Sequence, residues 1–289
     1  MAVPYLWYPT LICCRSPIHR QADAVDERSM TELLARAREV NDVWLVGWGC
    51  HLERRPEFRV LENRRFSEYN TVYDIEAPEY VESAAHIAQQ LGATLYLPRD
   101  SRFEGARKEL AGMGWLPRWR TETLVSKVVD ETLSANPDTT LRPVLDAHRS
   151  LEKWIDLYSR NYKLPSNLST ANQERWRLAF QSEPAIRFYF ITVGGEPEGT
   201  AQMVVPGTGF CGVYSLSLPP RLRGTKALGT VETRLTQESV RLGAQWTCYE
   251  RLRPVRKDPG LRPAPGTPLN FYGLEWHTLS SDTGYFLEA

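Results

Sequence analysis

Val213-Tyr214-Ser215-Leu216-Ser217-Leu218-Pro219-Pro220-Arg221-Leu222-Arg223-Gly224-Thr225-Lys226-Ala227 is the stretch that decides the fold of this chain. The residues up to Pro219 read as the end of a strand, and the apolar spacing from Leu228 to Leu242 reads as an amphipathic helix. Between them, Arg221 to Gly229 forms a loop where backbone N–H groups and the helix dipole favour an anion. An earlier stretch reads as a copy, Val72-Tyr73-Asp74-Ile75-Glu76-Ala77-Pro78 followed by a helical segment ending Leu91-Gly92-Ala93-Thr94. Its counterpart in the later half ends Leu242-Gly243-Ala244-Gln245. The copies lie about 141 residues apart at Val-Tyr and about 151 apart at Leu-Gly-Ala, as in an internal duplication. The roughly ten extra residues of the later copy fall in the anion-favouring loop, so that half reads as the working site and the other as its scaffold twin.

With 289 residues the chain is long enough for two domains, each with its own core. Its 42% apolar and 24% charged residues are those of an ordinary globular protein. Lys plus Arg and Asp plus Glu are balanced at 35 each, so no global field draws the protein to nucleic acid or membrane. The five cysteines are odd in number and lack metal-ligand spacing, which favours reduced core thiols, no metal and a cytoplasmic setting. No apolar run approaches the roughly 20 residues of a membrane span.

Along the chain, Met30 to Val40 has helical spacing, and Val43 to Gly47 and Phe58 to Leu61 read as short strands. Tyr69 to Ile75 is a strand, Pro78 opens a helix that Gly92 closes, and Leu95 to Leu97 is a strand. Phe103 to Met113 reads as a helix and Thr121 to Val129 as a β-rich run. Glu131 to Thr140 is poor in apolar residues and is assigned as a linker. The order then repeats: helices over Leu145 to Tyr162 and Ala171 to Phe180, a hairpin of Arg187 to Val193 and Thr200 to Val205, the strand Phe210 to Leu218, the helix from Leu228, and the strand Trp246 to Glu250. Arg251 to Pro268 reads as irregular and Asn270 to Ala289 partly as strand. The expected fold class is α/β (α+β), two mixed-sheet units in tandem over 1–130 and 141–289, joined at 131–140.

A hairpin, a strand ending Leu216-Ser217-Leu218-Pro219, an Arg-x-x-Gly loop, a helix and a strand together resemble the GNAT (Gcn5-related N-acetyltransferase) fold. The resemblance covers residues 140 to 252 well and residues 30 to 130 as a degenerate copy. The doubled arrangement is similar to tandem-GNAT enzymes such as mycothiol synthase, and to the Fem-like aminoacyl transferases. The resemblance implies an acyl thioester, acetyl-CoA or another acyl-CoA, whose pantetheine arm pairs with the backbone of Leu216 and Leu218. It implies that the loop Arg221, Leu222, Arg223, Gly224, Thr225, Lys226 and Ala227 wraps the pyrophosphate. The amine acceptor would enter from the opposite side, with a general base taking its proton and a general acid protonating the leaving thiolate. Lys226 departs from the family pattern, which has a small residue there. It either points outward and adds charge, or signals a donor other than CoA.

Three residues are candidates for the chemistry. Tyr272 falls near the position of the family's general-acid Tyr, with a packed surface Tyr as the other reading. Glu250 ends the strand after the helix, as a base or acceptor anchor facing the splayed gap, or as a solvated strand end. Tyr214 lies on the central strand, facing substrate or packed in the core. Arg251, Arg253, Arg256, Lys257 and Arg262 form a basic run, either solvated charge or a rim for a CoA phosphate or an RNA backbone. The sequence therefore points to a CoA-dependent N-acyltransferase acting on a small amine, amino acid or peptide. The alternatives are transfer from aminoacyl-tRNA on the same fold and a non-catalytic scaffold of two degraded units. A monomer is compatible, because the first unit can serve as the partner that a single-unit relative finds by dimerising.

Overall fold

The computed structural model describes residues 27–128, 137–164, 166–223, 226–254, 268–271 and 274–287. Its first helix, α1, runs from Glu27 to Gly47. It takes in Val43 to Gly47, which the local pattern assigns to a strand. The reason lies in the longer period: Leu33, Ala37, Val40 and Trp44 recur at helical spacing and are all buried, so the apolar run continues one stripe of a helix. The hairpin β1 (His51–Arg54) and β2 (Arg59–Glu62) follows, then β3 (Thr71–Tyr73). Helix α2 spans Val81–Leu91, β4 Thr94–Pro98, α3 Glu104–Gly112, and β5 Trp115–Lys127.

The second half opens on β6 (Thr139–Pro143), which begins inside the stretch that composition assigns to a linker. Helices α4 (Arg149–Tyr162) and α5 (Ser166–Ser182) lead into β7 (Ile186–Val193), β8 (Glu196–Val204) and β9 (Phe210–Ser217). Helix α6 spans Lys226–Arg241 and β10 Trp246–Pro254. The strands β11 (Pro268–Phe271) and β12 (Leu274–Leu287) close the described chain.

All twelve described strands belong to one mixed sheet, in the order β1-β2-β3-β4-β12-β5-β10-β9-β8-β7-β6, with β11 beside β12. The middle of that order is an exchange. The C-terminal β12 lies between β4 and β5, antiparallel to both, while β5 continues on to pair with β10 from Lys127 opposite Trp246 to Trp119 opposite Pro254. Each half thus places a strand inside the hydrogen-bond ladder of the other.

Strand alternation sorts the core into two faces. Phe210 and Tyr214 join α1, α4 and α5 in a core containing Trp154, Trp176 and Phe188. Cys211 and Val213 face the other way, under Leu228, Val231 and Leu235 of α6. On that same side Val72, Leu95 and Leu97 lie under α2 and α3, with Tyr285 of β12 completing the cluster. The first of these cores draws residues from both halves. Cys50, Cys211 and Cys248 are buried, and none of them forms a disulfide among the described residues. Among the described residues no helix is long and apolar enough to cross a membrane, and no group of three His, Cys, Asp or Glu side chains could hold a metal.

Candidate functional site: two strand forks

Strand β9 runs parallel to β10, and the two are paired only from Phe210 opposite Trp246 to Val213 opposite Tyr249. Beyond that point β9 continues to Ser217 and β10 to Pro254 without a shared ladder, leaving a fork. Just past the last paired residue, Ser215 adopts a left-handed backbone at φ 48°. The β8–β9 register slips by one residue there, since Gln202 faces Tyr214 while Thr200 faces Ser217. This β-bulge re-aims the backbone at the mouth of the fork. Helix α6 begins at Lys226, so its positive dipole end points back at the loop leaving the fork.

The first half carries part of the same device at the matching place in its sequence, without a register slip between β2 and β3. Strands β3 and β4 are parallel, and their pairing ends at Val72, the counterpart of Val213. Asp74, the counterpart of Ser215, is left-handed at φ 58°. The Leu-Gly-Ala segments also match: Gly92 (φ 58°) and Gly243 (φ 81°) both take the left-handed conformation that ends α2 and α6. The Ala93 amide donates to Ala88 (2.7 Å) and the Ala244 amide to Ser239 (2.9 Å), the same cap in each half.

The forks differ in what lines them. In the first, Asp74 accepts from Arg38 of α1 and lies 3.0 Å from Nε of Arg59. Asp42, 2% exposed, accepts from Arg59 (2.7 Å), Arg54 (3.2 Å) and the Tyr73 hydroxyl. Burial and the Asp42 carboxylate push the Tyr73 phenol far above its ordinary range. Arg38 also reaches Asp282 of β12 at 3.8 Å. Three arginines and three aspartates thus close this fork on the α1 side.

In the second fork the corresponding groups are uncharged. Ser215 Oγ donates to Gln202 Oε1 at 2.7 Å, and the Trp44 indole of α1 donates to the same oxygen at 3.0 Å. Tyr214, expected at the substrate face or in the core, is 3% exposed and stacks on Trp44 with ring centroids 4.2 Å apart, so its ring serves packing. Leu218 is buried and Leu216 half-buried. The Leu216 carbonyl, expected to meet the donor's arm, accepts from the Tyr162 hydroxyl at 2.5 Å.

The loop residues divide into two kinds. Arg221 is exposed and paired with Glu198. Arg223 turns inward: its guanidinium donates to the Leu218 carbonyl (2.7 Å) and the Asn161 carbonyl (2.6 Å) and sits over the Tyr162 ring. The amides of Leu222 and Arg223 close a 3-10 turn onto Pro219 and Pro220. Gly224, Thr225 and Tyr272 lie outside the described residues, as do the side chains of Glu250, Lys226 and the basic run from Arg251. Ala227 lies in the first turn of α6, half-buried.

Sequence reasoning did not find Trp44, Tyr162 or Gln202: Trp44 and Tyr162 reach the fork from helices distant in the chain, and Gln202 comes from the neighbouring strand with no local pattern to mark it. It also missed Glu232 of α6. That carboxyl is 5% exposed, has one oxygen without a hydrogen-bond partner among the described residues, and is pushed up to about 8 by burial. Tyr249, the last β10 residue paired with β9, faces it, and its phenol is raised by burial first and by Glu232 second.

No protein-family model matches this sequence, and no curated protein matches it. Solved structures do match its fold. A GCN5-related N-acetyltransferase from Kribbella flavida superposes with a TM-score of 0.58 at 15% identity, covering 88% of this chain and 95% of that one. Another, from Sphaerobacter thermophilus, gives 0.56 at 12% identity over 79% of this chain and 76% of its own. A conserved protein from Staphylococcus epidermidis gives 0.54 at 10% identity, covering 82% and 93%. On this likeness the chain has the fold of the GCN5-related N-acetyltransferases.

Proposed function

We propose that the protein is an N-acyltransferase built from two units of this fold, which moves an acyl group from a CoA thioester to the amine of a small metabolite, amino acid or peptide at the β9–β10 fork. One observation carries the reading: both forks have a left-handed residue and lead through a 3-10 turn into a helix N-terminus, but only the first is filled with ion pairs. The fold neighbours named as N-acetyltransferases support the chemistry.

The CoA thioester supplies an activated acyl carbon. The pyrophosphate fits the start of α6, where the loop from Gly224 to Ala227 would hold it with Arg221 at the rim. The backbone of β9 beyond Val213, freed from β10, would align the thioester arm. The amine attacks the acyl carbon from the α1–α4–α5 side, the new C–N bond forms and the C–S bond breaks. A base takes the ammonium proton and an acid returns one to the thiolate. Glu250 and Tyr272 remain the proposed base and acid.

A second reading, transfer from aminoacyl-tRNA, draws on the loop itself. Two of its amides are spent on a 3-10 turn, Arg223 is pinned inward, and Lys226 opens the helix. Equilibrium binding of acetyl-CoA and of charged tRNA separates the two. Micromolar acetyl-CoA binding, weakened about tenfold or more by Arg221→Ala with Gly224→Ala, supports the first. Salt-steep tRNA binding without CoA binding supports the second. Binding of neither refutes both and leaves a scaffold.

A further inference from the structure

We propose that Gln202 is a specificity residue of the acceptor pocket: its side-chain amide donates to a carboxylate or amide-carbonyl oxygen beside the reacting amine, so the acceptors are amino acids or peptides rather than simple alkylamines. The inference rests on the acyltransferase reading and names the substrate class within it.

Gln202 lies on β8, fully buried, opposite Tyr214. Its orientation is fixed by chemistry. An indole N–H can only donate, so the atom facing Trp44 Nε1 must be the amide oxygen, and Ser215 donates to that same oxygen. Flipping the amide would set two donors against each other. The Nε2 hydrogens therefore point elsewhere, and they meet no acceptor among the described residues.

This is not general looseness of a polar region. In the seam beside it, Thr200 and Ser217 hydroxyls lie 2.7 Å apart, Asn161 Nδ2 donates to Ser217 Oγ (3.1 Å), and Thr200 Oγ1 donates to the Ser215 carbonyl (3.1 Å). These neighbours are satisfied internally; elsewhere on the α1–α4–α5 face the buried Trp48 and Trp176 indoles, which are not part of this polar seam, also lack an acceptor among the described residues. Buried donors are almost always satisfied, so an acceptor from outside the chain is expected there.

The position says which acceptor. The amide shares its oxygen with Ser215, the bulge residue at the mouth of the fork, and faces the α1–α4–α5 side, away from α6 and the anionic end of the donor. An ammonium or a methylene accepts no hydrogen bond. A carboxylate or peptide carbonyl next to the amine does.

The test uses the full chain labelled with 15N. The Gln202 amide pair is assigned by its loss in Gln202→Glu, or in Gln202→Met should the glutamate variant not fold. Wild type is titrated with the twenty amino acids and dialanine, and in parallel with ethylamine and cadaverine. At least one carboxylate- or carbonyl-bearing amine should shift that pair saturably, and the two plain amines should not. If none shifts it, or the plain amines shift it equally, Gln202 holds an enclosed water only and the proposal fails. In acetyl-transfer assays Gln202→Glu should raise the acceptor KM about tenfold or more at pH 8. The loss should shrink as pH falls, because a protonated carboxyl regains a donor. A pH-independent loss would overturn the assignment. Absence of acetyl-CoA binding together with a retained shift would sink the donor reading and leave the Gln202 inference standing.

Discussion

Replacing Glu232 by glutamine should change how stability depends on pH, by an amount that follows from burial. The carboxyl is 5% exposed on α6 and its pKa is pushed up to about 8 by desolvation, against an ordinary value of 4.5. Below pH 4.5 the folded and unfolded chains both hold the proton. Between 4.5 and about 8 the folded chain keeps it and the unfolded chain releases it, so stability falls as pH rises, by roughly 1.4 kcal/mol per unit. Above pH 8 both forms are ionised and the loss is complete, on the order of 5 kcal/mol if nothing around the carboxylate rearranges. A glutamine side chain in its place cannot titrate. The variant's advantage over wild type should therefore grow steadily from pH 5 to pH 8, whatever constant offset the new amide brings. Urea denaturation of both proteins at pH 5, 6, 7 and 8 measures this difference directly. A difference that stays flat across the range would refute the claim that this group is folded away neutral.

Two further substitutions test the packing and the closed fork, and two test the loop. Gly212→Ala would place a Cβ 2.5 Å from Val40 Cγ1 and 2.5 Å from Tyr214 Cε2, so overpacking should cost about 1–3 kcal/mol and lower the melting temperature. Asp42→Ala strips the acceptor from Arg54, Arg59 and Tyr73 in a nearly closed site and should cost roughly 3–5 kcal/mol in urea melts. Arg223→Ala should destabilise the fold by about 1.5–3 kcal/mol, since two carbonyls lose a charged donor. Arg221→Ala, at an exposed ion pair, should leave stability within about 1 kcal/mol and act on donor binding instead.

The parts of the fold that can be read from sequence are those whose signal is local. The bounds of β4, β7 and β9 follow from alternation and flanking turns, and Gly92 and Gly243 announce their helix ends because an L-residue is strained there. Val43 to Gly47 escapes a local reading because a short, mostly apolar run has no period of its own; only Leu33, Ala37 and Val40 before it set the helical phase. The placement of β12 between β4 and β5 has no local signature at all, being a pairing across most of the chain. The site divides in the same way. The exchange of Ser215 for Asp74 between the two copies is visible as a letter, but its consequence depends on Arg38 and Arg59, which arrive from α1 and β2.

That letter explains why one sheet can hold two forks without needing two working sites. A left-handed residue past the last paired Val opens each fork, and the opened backbone must be satisfied by something. In the first fork charged side chains pair with one another beside that backbone, and the same ion pairs link α1 to Asp74 and to β12 through Arg38 and Asp282. Fastened there, α1 is held over β9, where Trp44 stacks on Tyr214 and fixes the Gln202 amide. The closed fork is thus part of what shapes the open one. A variant that loosens it, such as Asp74→Ser, should disturb the Trp44–Tyr214 stack across the sheet. Tryptophan fluorescence unchanged by that substitution would disconnect the two forks.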